Sequence, residues 1–183
     1  MEIVSEVEKL KRDMKISQLG QCGEKIIRNM LSSQGGVYIE DSIDLYDSTK
    51  DMVVYDISVK DVDRDSITLN VNGITVEVKT QVPYISKKYL TIRTNQLTKC
   101  RNVDELYFVA VPSARYPSTL TGWIYKVDPK TFVVGEKYKK PDKYTGKDRW
   151  MYPIAINQPA VTRVRRLTEV EETELMSHSM SGK

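Results

Sequence analysis

Histidine is almost missing from this chain of 183 residues: the single copy, His178, lies in a polar C-terminal stretch. That absence removes whole classes of chemistry. A Ser-His-Asp or Cys-His centre needs a well-held imidazole, and the common zinc hydrolase sites need histidine ligands. Cysteine is scarce too. Cys22 and Cys100 are too few for a zinc site or a disulfide framework, and both fall in helical patterns, so they read as reduced core or boundary thiols. No apolar run approaches the roughly 18 residues of a membrane span. The opening Met1-Glu2-Ile3-Val4-Ser5-Glu6 has no basic region and no signal-peptide core, so a cytoplasmic protein without a membrane partner is expected. Internal repeats are absent. Any enzyme here works with carboxylates and lysines, and hard oxygen donors call for Mg²⁺ or Mn²⁺.

What is present is ordinary for a globular chain: 40% hydrophobic and 29% charged residues, enough for one domain with a proper core. The net charge of +3 is unevenly placed. From Leu167 to Lys183 four glutamates face one lysine, a net −3, which leaves +6 on residues 1–166. We read 1–166 as the single domain and 167–183 as an acidic, partly disordered tail. A basic body with an acidic tail suits a nucleic-acid partner.

The chain is organised around Gly73-Ile74-Thr75-Val76-Glu77-Val78-Lys79-Thr80. Asn72-Gly73 is a strong hairpin signal, because a tight type I′ turn needs positive φ at both central residues. Beyond it the residues alternate. Ile74, Val76 and Val78 share one face, and Thr75, Glu77 and Lys79 the other. A carboxylate and an ammonium therefore leave the same side of one strand. Taken alone, such a pair is an ion pair on a half-exposed strand.

Around it, residues 3–31 read as helix, in one piece or as two helices meeting near Ile16-Ser17. Glu24 flanks the apolar stripe Ile16, Leu19, Ile26, Ile27, Met30 and Leu31. Gly20 and Gly23 stand beside Glu24, and glycine inside a helix costs about 1 kcal/mol against alanine, so close approach of another element is expected there. Asp51 opens a strand running to Val59, and Asp61 to Asp65 reads as a polar turn. Tyr89 to Arg93 is a short strand. It leads to a short helix with Asn95 as N-cap and Gln96, Leu97, Lys99 and Cys100 within it. Leu106 to Val111 is a strand buried on both faces, and Trp123 to Val127 another. The segment 135–150 mixes Lys137, Lys139, Lys140, Lys143, Lys147 and Arg149 with Tyr138, Tyr144 and Trp150. Such a mixture suits phosphate contact plus base stacking, and equally a solvated lysine-rich loop. A further basic patch, Arg163, Arg165 and Arg166, precedes the acidic tail.

In order, Glu24 on a helix, Asp51 at a strand start, Glu77-x-Lys79 on the next strand and Gln96 opening a second helix resemble the PD-(D/E)XK nuclease superfamily. The resemblance covers roughly residues 15–112. Lys50 stands where the pattern carries a proline. The resemblance implies an α/β fold with an α-β-β-β-α-β core, a central mixed sheet flanked by helices. It implies a Mg²⁺-dependent (or Mn²⁺-dependent) deoxyribonuclease leaving 5′-phosphate and 3′-hydroxyl ends, similar to phage and mobile-element members and to junction resolvases. For a phage protein the host cytoplasm is the compartment.

On that resemblance Asp51 and Glu77 hold the metal, with Asp56 and Asp65 as rivals for the place of Asp51. The Val78 carbonyl is a further ligand, and Lys79 holds or polarises the attacking water. Glu24 joins through a water or a second metal, and Gln96 and Lys99 contact the substrate phosphate. Lys139, Lys140 and Lys143 are expected on the nucleic acid, with a homodimer where both strands are cut. The alternatives are an inactive nuclease fold that binds nucleic acid as an accessory, and an RNA nuclease.

Overall fold

The structure is a computed structural model and describes residues 18–31, 37–38, 54–55, 57–63, 66–81, 89–112, 120–141 and 147–178. Asp51, Asp56, Asp65 and Lys143 lie outside these, as does Tyr144.

Helix α1 covers residues 18–31. The strands β1 (Val37–Tyr38) and β2 (Val54–Tyr55) pair in parallel. A meander follows: β3 (Ile57–Asp63), β4 (Ser66–Val71) and β5 (Ile74–Gln81). β6 (Tyr89–Arg93) runs through a 3₁₀ turn, Thr94–Gln96, into α2 (Leu97–Asn102). Then come β7 (Glu105–Ala110), β8 (Trp123–Val127), β9 (Tyr138–Pro141), β10 (Asp148–Ala155), β11 (Val161–Arg166) and helix α3 (Glu169–His178).

The fold is mixed α/β. Six strands form the main sheet in the order β11-β8-β7-β5-β4-β3, and a second sheet has the order β6-β10-β9. β5 is central, antiparallel to β4 and parallel to β7. A parallel neighbour needs a crossover connection. Here β6 and α2 belong to the segment that links β5 to β7.

The two faces of the main sheet are covered differently. On one, α1 and α3 bring Leu19, Ile26, Ile27, Met30 and Leu175 against Val76, Val78, Leu69 and Val109. On the other, Cys100 and Val103 from the α2 region and Leu90, Ile92 and Ile154 from the second sheet meet Leu106, Phe108 and Tyr125. β5 is thus a strand buried on both sides, not the half-exposed strand its alternation suggests. Alternation in sequence reports polarity, and the second sheet covers the polar side as well.

Several local expectations are met. Asn72 and Gly73 both have positive φ, at 52° and 88°, as the hairpin requires. A Cβ at Gly23 would overlap the hydroxyl of Thr80, so the glycine is where α1 touches the central strand. Cys22 and Cys100 are buried free thiols. Burial, with Glu174 nearby, pushes the Cys22 thiol up to about 12.

Others differ. Asp61 to Asp63, expected in a turn, belong instead to β3, which continues through Asp63 after a bulge between Val59 and Asp61. Gln96, not Asn95, occupies the N-cap position of α2, and its side chain makes no capping bond. Residues 169–178 of the acidic segment form α3, opened by a capping box. The Glu171 amide donates to Thr168 Oγ1 and the Thr168 amide to Glu171 Oε1. Among the described residues no helix is long and apolar enough to cross a membrane.

Candidate functional site

The two-residue turn sets the register of the β4–β5 hairpin. Val71 faces Ile74, so Thr68 faces Glu77 and Ser66 faces Lys79. Side chains of paired residues share a face, and these four therefore converge between the two sheets. Glu77 is fully buried and Lys79 is 5% exposed. A carboxylate there must be compensated, since isolated burial of a charge costs several kcal/mol. Glu77 Oε1 accepts from the Ser66 hydroxyl, and Oε2 accepts from Thr68 Oγ1 at 2.6 Å. Hydrogen bonds to a charged group contribute about 1.5–3 kcal/mol each, which offsets much of that cost.

Lys99 comes down on this pair from α2. Its Nζ lies 3.8 Å from Glu77 Oε2 and 3.0 Å from Asp61 Oδ2. Asp61 pairs with Thr68 across β3–β4, as Thr68 pairs with Glu77, so Asp61, Thr68 and Glu77 form one row across three strands. At the usual strand spacing the Asp61 and Glu77 backbones are about 10 Å apart. Asp61 is exposed and Lys99 partly so; together they roof the buried carboxylate. The Lys79 ammonium forms no hydrogen bond or ion pair with any described residue.

Of the expected site residues, the structure brings together Glu77, Lys79 and Lys99. Gln96 precedes Lys99 by one turn at the start of α2. Glu24 pairs with Arg28 at 2.7 Å on α1, the helix whose apolar residues pack on the opposite face of the sheet. The Val78 side chain is core on that same opposite face. Lys139 and Lys140 sit on β9, where Lys139 pairs with Trp150 and Lys140 with Arg149 in the second sheet. The structure also adds Ser66, Thr68 and Asp61, none of which the sequence singles out as site residues. The first two are recoverable from it, because a two-residue turn at Asn72-Gly73 dictates their partners by counting. Asp61 is not, since the bulge that turns it to this face has no signature in the sequence.

Among the described residues no group of three or more histidine, cysteine, aspartate or glutamate side chains could hold a metal. The donors that are there fit a hard cation in kind. They are one carboxylate and two hydroxyl oxygens, and Mg²⁺ takes one or two carboxylates and completes its shell with water. No family model, curated protein or solved structure matches the chain.

Proposed function

We propose that the chain is a divalent-metal-dependent nuclease of the restriction-endonuclease-like kind, acting on DNA at Glu77 and Lys79. One observation carries the reading: a fully buried carboxylate and a nearly buried ammonium without a described partner stand two residues apart on the central strand. Stability gives no reason to place them there, since apolar residues would fill the space at lower cost. Ionisable groups confined in a buried place without an apolar reason for it are candidates for a functional site. The order of α1, the β3–β4–β5 meander, α2 and the parallel strand β7 supports the same reading.

In this proposal Glu77, Asp51 and the Val78 carbonyl hold Mg²⁺ or Mn²⁺. The bound ion supplies an acidified water and charge neutralisation at phosphorus. Ser66 and Thr68 keep the Glu77 carboxylate aimed. Lys79 donates to the water or to the phosphate as charge develops. Lys99 exchanges its ion pair with Asp61 for one with the substrate phosphate. Glu24 and Gln96 are proposed in supporting roles.

A second reading has its own observation. Both Glu77 oxygens are engaged by hydroxyls and Lys99 lies close by, which also fits a spent site in a nucleic-acid-binding accessory. Nicking of supercoiled plasmid with Mg²⁺ or Mn²⁺, against chelator, separates the two. The nuclease nicks, and Glu77→Gln stops it while leaving the fold intact. Absence of nicking by the parent protein with either metal, together with retained DNA binding, selects the accessory. Cleavage of RNA but not DNA moves the reading to an RNA nuclease.

A further inference from the structure

Trp150 is 41% exposed near the start of β10. The ammonium of Lys137 lies 5.1 Å from its ring centroid and that of Lys139 5.2 Å. Lys139 faces Trp150 directly across the β9–β10 ladder. Neither lysine pairs with a carboxylate among the described residues. The chain's other tryptophan makes a useful contrast. Trp123 is less exposed, and it carries the guanidiniums of Arg163 and Arg166 over its ring at 4.9 and 4.8 Å.

The alternation along β10 says which way Trp150 points. Tyr152 and Ile154 face the main sheet, packed in the cluster that holds Leu106 and Phe108, and Trp150 shares their side. It extends that face beyond the packed core. The same end of β10 pairs with Arg93, the last residue of β6, and β10 contacts the 94–96 turn that opens α2. Lys99, over Glu77, is carried by that helix.

We propose that Trp150, Lys137 and Lys139 form a stacking platform for single-stranded nucleic acid, which leads the strand past the start of α2 toward Lys99. Two features of chemistry choose this occupant. The exposed indole offers a flat face to an unpaired base once the flexible lysine ammoniums over it swing out to the phosphates, whereas bases within a duplex are already stacked on each other. The flanking ammonium groups match phosphates, and lysine is depleted at protein–protein interfaces. The inference deepens the nuclease reading by naming its substrate as unpaired strands, whether free or at a branch.

The test is binding in chelator, so no cleavage intervenes, with labelled oligo-dT, oligo-U and a blunt duplex. Tryptophan fluorescence should be quenched by a single strand, and the quench should disappear in Trp150→Phe while affinity stays within about fivefold. Trp150→Ala should weaken single-strand binding about 5- to 150-fold, the range expected for removing one base stack. Lys137→Gln with Lys139→Gln should flatten the log–log salt dependence by about 0.7 for each phosphate no longer neutralised. Either oligomer behaving this way supports the platform. Unchanged affinity in Trp150→Ala overturns it, as does an equal Trp150-dependent quench by the blunt duplex. Intact Trp150-dependent binding with no metal-dependent cleavage of the single-stranded oligomers would sink the nuclease reading alone; their cleavage with no Trp150 dependence would sink the platform alone.

Discussion

The two sides of β5 are equally buried and chemically opposite. On one, Val76 and Val78 meet Leu69, Val109 and the apolar stripe of α1. On the other, Glu77 and Lys79 meet two hydroxyls and the roof made by Lys99 and Asp61. The apolar side explains itself, since each methylene removed from water contributes about 0.8 kcal/mol. The polar side holds charge where burial penalises it. One strand thus separates an apolar side that holds the protein together from a polar side that carries charge at a cost in stability.

Lys79→Met should break the comparison most sharply. It keeps the length of the side chain and removes the ammonium. Cleavage should fall by about 10²–10⁴ if Lys79 acts on the water or phosphate, while the melting midpoint holds or rises, by about 2–4 °C for each kcal/mol recovered. A lowered midpoint would mean that the polar side is structural after all.

Leu69→Ala, on the apolar side, should do the reverse. It should cost about 2–5 kcal/mol in denaturant unfolding and leave the cleavage rate per folded molecule unchanged. Equal loss of specific activity would show that the two sides are not separable.

Where α1 meets β5, Gly23→Ala should cost about 1–3 kcal/mol, because the new Cβ would overlap the Thr80 hydroxyl. Thr80→Ala removes the obstructing atoms, so the double variant should recover much of that loss. A purely additive double mutant would place the cost in the helix backbone instead.

The smallest effect concerns α3, which closes the apolar side. Burial raises the Glu171 carboxyl, but the Arg165 guanidinium and the Thr168 amide and hydroxyl outweigh it, and the net value lies below the usual range. A carboxyl lowered in the folded state adds stability above its unfolded value, about 4.3. That stability is lost as pH falls through the folded value. The pair is partly exposed, so the contribution is about 1 kcal/mol or less. Parent and Glu171→Gln should therefore differ in melting midpoint at pH 7 and converge below about pH 4; a constant gap would show that the carboxyl does not titrate with folding.

Much of this is legible in the residues. Short-range chemistry writes the hairpin at Asn72-Gly73, the alternation of β5, the doubly buried run of β7, the close approach at Gly23 and the pair Glu77 and Lys79. The capping box Thr168-x-x-Glu171 is equally there to be read, and it marks α3 inside what composition presents as an acidic tail. The basic segment around residues 135–150 is less a loop than a ladder, for β9 and β10 pair over Lys139 and Trp150.

What the chain determined by itself is a set of local periods and turn geometries, because these depend on φ, ψ and neighbours a few residues away. Only the tertiary structure decided that the polar side of β5 is enclosed. That enclosure comes from Lys99 of α2 over Glu77, from β6 hydrogen-bonded to Gln81, and from the second sheet packed on the neighbouring strand β7; these residues are distant in sequence, and no period in β5 encodes it. The bulge in β3 that turns Asp61 into the row with Thr68 and Glu77, and the arrival of Lys99 above them, are decisions of the same kind. Packing made a surface-looking Glu-x-Lys into a buried one, and burial is what gives those two charges their chemical interest.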